Sequence, residues 1–145
     1  MTLNSIMSHE LIGTKTIYNY ITGGHAVVTL QSTTGVHHTY SFSAPSERKP
    51  DEDTLFIRTL VDSNTWAYVG MYKDKGFHFT RKSQFGADTP TVRGVIFIMK
   101  LMHVEGFHDD RMHLYHEGIC CRCGRPLTNP KSIALGIGPT CAEMD

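Results

Sequence analysis

Cys120 and Cys123 are separated by two residues with Gly124 directly after, and Cys141 returns after seventeen intervening residues, preceded by Gly136, Gly138 and Pro139. A C-x-x-C pair on a tight turn aims two thiolates at one point. Its backbone amides can hydrogen-bond the sulfurs, and the glycine supplies a positive φ that a side chain would resist. Three thiolates leave one tetrahedral corner, for which His116, four positions before Cys120, is the first candidate and His113 the second. The spacing therefore predicts a closed Cys3His site holding one structural Zn2+ per chain. Cys121, between two ligands, is expected to point away from the metal.

Composition bounds the setting of that site. Lysine plus arginine equals aspartate plus glutamate, 14 against 14 in 145 residues, so no global charge demands DNA, an anionic membrane or a strongly acidic substrate. There is no apolar run of membrane-spanning length, and the first residues, MTLNSIMSHE, carry neither a basic leader nor an apolar signal core. A cytoplasmic location is the expectation. In a reducing compartment, four cysteines within the last 26 residues favour metal over a disulfide from Cys120 or Cys123 to Cys141.

Other constellations carry less. His103-Val104-Glu105 followed by Cys120 and Cys123 imitates the two halves of a zinc deaminase, but no proline precedes the cysteine pair and Cys141 would have no role. His116-Glu117 begins like H-E-x-x-H, yet position 120 is cysteine. A closed Cys3His site has no open position for an activated water, and there is no phosphate loop or G-x-S-x-G. A non-catalytic protein is the reading; a zinc hydrolase or deaminase is the remote alternative. Lys73, Lys75, Arg81 and Lys82 flank the segment holding Phe77 and Phe79, a mixture that a single-strand-binding sheet could use, although alternating phenylalanines usually face a core. Arg122, Arg125 and Lys131 form a second basic group around the cysteines.

The elements that must hold these residues follow from periodicity. Ile17, Tyr20 and Ile21 lie on one helical face within residues 14–22, before Gly23-Gly24. Five short β-rich runs follow, at 25–32, 36–42, 55–61, 65–72 and 76–80, separated by turns and by a charged, proline-bearing loop over 43–54. Thr89 as N-cap and Pro90 at the first position open a buried helix over 89–104, with Val92, Val95, Ile96, Met99 and Met102 on its main face and Phe97, Ile98 and Leu101 beside it. The expected fold is α+β: a curved antiparallel sheet of about five strands covered by one main helix over residues 14–105, with a zinc module over 113–145 packed on it.

The tail HEGICCRCGRPLTNPKSIALGIGPTC resembles a treble-clef-like zinc-binding domain, of unsettled role, that ends many small bacteriophage and prophage proteins. GHAVVTL, TTGVHHTYSF, WAYVGMY and GFHFTRKS are similar to the domain that accompanies it, so the resemblance covers roughly residues 14 to 143. It implies His116, Cys120, Cys123 and Cys141 as the ligands and a host factor or host-defence protein as partner. Neutral charge likewise favours a protein partner. A nucleic-acid-binding accessory role, through the sheet and the zinc tail, is the alternative, and the apolar helix could equally meet a second copy of the chain.

Overall fold

A computed structural model describes residues 10–46, 53–62 and 64–117 of the chain. Helix α1 (Thr14–Ile21) leads into strands β1 (His25–Ser32), β2 (His37–Ser43), β3 (Leu55–Leu60), β4 (Trp66–Lys73) and β5 (Gly76–His78); helix α2 (Pro90–His103) and strand β6 (Met112–His116) follow. The fold is α+β. One antiparallel sheet in the order β5-β4-β3-β2-β1-β6 curls into a half-barrel.

The sheet has six strands among the described residues, not about five, and the sixth comes from residues expected in the zinc module. β1 to β5 form a meander. The chain then leaves one edge of the sheet and returns at the other, where β6 pairs antiparallel with β1. Five inter-strand gaps of about 4.8 Å make a flat width of roughly 24 Å. The 14 residues of α2, at about 1.5 Å each, span much of that width. Asp109 sets up the return: its carboxylate accepts from the Arg111 amide at 2.9 Å and its carbonyl from the Met112 amide, also at 2.9 Å. The outer edge of β6 is in turn bridged by Glu10 opposite Tyr115, and the Leu11 amide donates to Leu114 at 2.8 Å.

The core lies between one face of the sheet and the two helices. Ala26, Val28, Leu30, Tyr40, Phe42, Leu55, Ile57, Val69, Tyr72 and Leu114 meet Ile17, Tyr20 and Ile21 of α1 and Val92, Val95 and Ile98 of α2. Thr89 caps α2, its hydroxyl accepting from the Val92 amide at 3.3 Å. The buried face of α2 is wider than the one read off the sequence, and shifted at one position. Val92, Val95, Met99 and Met102 are buried as expected, but Ile96 is 41 % exposed, whereas Ile98 and Leu101 are buried. Two cores, the sheet below and α1 beside it, demand a wider apolar stripe than a single covering helix would.

One local feature was invisible to simple alternation. Ile57 pairs with Gly70 but Arg58 with Tyr68, so Val69 is an extra residue in β4 and the inward parity shifts there from Ala67 and Val69 to Gly70 and Tyr72. This is a β-bulge, which adds twist and helps the sheet curl. The β4–β5 hairpin turns through Asp74 and Lys75, both at positive φ (52° and 67°), between the paired Lys73 and Gly76. Both central residues at positive φ make this a type I′ turn, which a lysine tolerates poorly. Lys75→Gly is expected to stabilise the fold by about 0.5–1 kcal/mol, read as a higher urea midpoint; an unchanged or lower midpoint would show that the lysine side chain contributes as much as the backbone relaxes.

Candidate functional site

Strand β6 carries both histidines proposed as fourth ligand. Inward and outward residues alternate along it, so Leu114 and His116 face the core while His113 and Tyr115 face away. The two rings thus stand on opposite sides of the sheet. His113 Nδ1 is hydrogen-bonded to Glu10 Oε2 at 2.7 Å. His116 is 1 % exposed, opposite Val28 of β1, with its ring 5.2 Å from that of Tyr20. Directly beyond it the Glu117 amide donates to Val27 at 3.0 Å, so the sheet fixes the chain up to three residues before Cys120.

Cys120, Cys123 and Cys141, with Arg122, Arg125 and Lys131, lie outside the described residues. Among the described residues, no group of three or more His, Cys, Asp or Glu is placed to hold a metal. A Cys3His site would draw only His116 from them, and the buried end of β6 suits a ligand that joins such a site to the sheet.

Of the residues that mimic a deaminase, His103 is engaged within the fold. His103, at the end of α2, stacks on Tyr72 of β4 with ring centres 5.8 Å apart, and its Nε2 is 2.9 Å from the Tyr72 hydroxyl. Glu117 accepts from the Thr29 hydroxyl at 2.9 Å, and Glu105 is exposed. Burial pushes the Tyr72 phenol well above its ordinary range, with help from Tyr18 and Asp53; kept protonated, it donates to a neutral imidazole. Burial also lowers the His103 pKa, with Lys75 adding to the effect and Asp53 opposing it. His38 is lowered too, by burial and by His37.

These shifts have a definite sign. A histidine depressed in the fold but ordinary when unfolded takes up its proton first in the unfolded chain, so stability is full above about pH 6.5 and falls as the pH drops below it. His103→Gln keeps an acceptor for Tyr72 without titrating. Urea midpoints measured at pH 8 and pH 5 are expected to differ less in this variant than in the wild type; an equal difference would remove His103 from the account.

Residues 110–144 match a family of unknown function, DUF6011. The matched stretch holds all four cysteines and begins at the turn before β6, so it includes a strand that belongs to the sheet. It covers less than half of the chain. No curated protein and no solved structure matches this chain. No helix among the described residues is long and apolar enough to cross a membrane.

Four of the basic residues singled out in the sequence are among the described residues. Lys73, Lys75, Arg81 and Lys82 are all exposed around the β4–β5 hairpin. Phe77 packs against the core beside Gly70, whereas Phe79 lies beyond β5 and is 49 % exposed, its ring centre 5.0 Å from that of Phe77. Sequence reading missed their neighbours on the sheet. Arg58 projects over the ring of Tyr68, 5.8 Å from its centre, and Trp66 is 40 % exposed. The signal was present as the polar-side alternation of LFIRTL and TWAYVGMY, which had been used only to find strands.

Proposed function

We propose that this protein is a non-catalytic binding protein, with one structural Zn2+ held by His116, Cys120, Cys123 and Cys141, and that it acts by engaging a macromolecule. The observation that carries this reading is the sheet face opposite the helices. Among the described residues no element packs on it, and it presents Trp66, Tyr68 and Arg58, the residue types that dominate binding hot spots. The zinc, when bound, supplies cross-linking of the tail rather than an activated water, and His116 ties that tail to β6. The equal count of acids and bases supports a protein partner, which the phage resemblance would make a host component. A second reading, nucleic acid, is favoured by a local observation, the exposure of Lys73, Lys75, Arg81 and Lys82 in and just after the β4–β5 hairpin.

The test is retention of a macromolecule by the immobilised full-length chain, compared with Arg58→Gln. Retention by the wild type and loss from the variant is expected. A turnover that Glu105→Gln or Glu117→Gln abolishes would replace this reading with the zinc-enzyme one.

A further inference from the structure

The open face of the sheet has an internal order. Along β3 and β4, three cross-strand pairs form a ladder: Leu60 with Trp66, Arg58 with Tyr68, and Phe56 with Met71. Successive pairs stand about 7 Å apart along the strands. Met71 then pairs with the exposed His78 of β5. Towards β1 and β2 the face changes character to hydroxyls, with Thr29 and Thr39 bonded to each other at 2.8 Å.

Charge on this face is polarised. The carboxylates of Glu10 and Glu117 are at the β6 edge, bonded to His113 and Thr29, and two strands separate that edge from β3. Arg58 lies within the ladder and Lys73 ends β4 beyond it, while Lys75, Arg81 and Lys82 are exposed in the hairpin turn and in the segment after β5. Among the described residues, two carboxylates of the loops flanking β3 and β4 are engaged by turn amides. Asp62 accepts from Asn64 and Thr65 at 3.0 Å each, and Asp53 accepts from Asp74 at 3.0 Å. Asp74, exposed at the hairpin tip, has a lysine on either side.

We propose that this ladder is a docking surface for single-stranded nucleic acid, with unpaired bases stacking on Trp66 and Tyr68 and phosphates meeting Arg58, Lys73, Lys75, Arg81 and Lys82. The inference rests on the reading that the protein works by binding, and names the partner of that face. Aromatic faces interleaved with cations bind a single strand with little regard for sequence, because every base has a π-face and every nucleotide a phosphate. A protein partner would not need these exposed cations. A duplex keeps its bases stacked inside and offers the ladder only phosphates. Neither stacking nor phosphate contact depends on the sugar, so RNA and DNA strands are expected to bind alike.

Trp66 is the only tryptophan in the chain, so its fluorescence reports on this face alone. The experiment titrates the full-length protein with oligo(dT), oligo(U) and a mixed-sequence duplex at several salt concentrations. Both single strands should quench Trp66 with affinities within a few-fold of each other, and the duplex should bind at least ten-fold more weakly. With about five phosphate contacts, log affinity should fall with log salt at a slope of about −3.5. Arg58→Gln and the double variant Lys73→Gln/Lys75→Gln should each weaken binding about ten-fold, whereas Arg93→Gln/Lys100→Gln, exposed on α2, should leave it unchanged. Absent quenching, a flat salt dependence, or equal losses from the α2 variant would overturn the proposal. Trp66 fluorescence that varies with protein concentration alone would reassign the face to a second copy of the chain. If oligonucleotides leave Trp66 unchanged while a protein retained by the wild type is lost from Arg58→Gln, the binding reading stands and the nucleic-acid assignment falls. If both fail, the binding reading falls with it.

Discussion

Gly94→Ala will destabilise this protein by about 1–3 kcal/mol, although alanine is the better helix former by about 1 kcal/mol. Gly94 lies in the middle of α2, where the helix crosses Tyr40 of β2. A Cβ built there runs into the Tyr40 hydroxyl and comes within 3.3 Å of the ring carbon that bears it and 3.6 Å of a Leu30 methyl. Tyr40 has no room to yield: it is fully buried, and its hydroxyl donates to the Thr91 carbonyl at 2.7 Å, one turn earlier on the same helix. Burial also raises the pKa of this phenol far above its usual range, so it remains a donor at any ordinary pH. The hydroxyl both fixes the height of α2 above the sheet and forbids a side chain at position 94. Tyr40→Phe alone should cost about 1 kcal/mol through the lost hydrogen bond. In that background Gly94→Ala should cost much less, because the clashing atom is gone, giving a coupling of about 1–2 kcal/mol in a double-mutant cycle of urea midpoints. Additive losses would mean that the helix shifts to admit the methyl and that Gly94 does not set the seam.

That seam illustrates which parts of the fold were legible in the sequence. The face of α1 formed by Ile17, Tyr20 and Ile21 could be read directly, as could the bounds of β1 and the Thr89-Pro90 start of α2, because each is encoded by neighbours within a turn or a strand. The role of Gly94 could not, since its cause is a tyrosine 54 positions away. The bulge at Val69 was hidden for a related reason: it shows only when the partner strand is known. Ile96 and Ile98 exchanged roles because period alone does not say how many elements a helix must cover.

β6 was a different kind of miss. Met112, Leu114 and His116 alternate with His113 and Tyr115 as a strand should, but both histidines had been taken up as candidate ligands and the run was not read as a strand. For the candidate site, the strand's parity adds what spacing could not supply. It separates His113 from His116, and it makes the segment that leads to the cysteines part of the sheet. The open face shows the reverse limit. Arg58, Trp66 and Tyr68 are ordinary strand residues in the sequence, and only the register of β3 against β4 brings them into one ladder.

The zinc proposal makes the other large prediction, and β6 makes it specific. Cys141→Ser, His116→Ala and His113→Ala should differ in kind. Structural zinc in finger peptides supplies roughly 10–16 kcal/mol of apparent binding energy, so native mass spectrometry should find one zinc per wild-type chain and a lost or greatly weakened metal in the first two variants. His113→Ala should retain it, since that ring faces away from the core and is held by Glu10. Cys141→Ser should leave most of the far-ultraviolet circular dichroism of the sheet while protease gains access to residues 118–145. His116→Ala should go further, because it also empties a buried place beside Tyr20, next to β1. Its urea midpoint should fall below that of Cys141→Ser, by an amount typical of a large-to-small core change, about 2–4 kcal/mol. Equal midpoints for the two variants would confine His116 to the metal, and zinc retained by His116→Ala would confine it to the core. A wild-type mass two units low with no zinc would replace the metal with a disulfide. Only the joint loss, of metal and of core, makes β6 the element through which a zinc-held tail is fastened to the sheet.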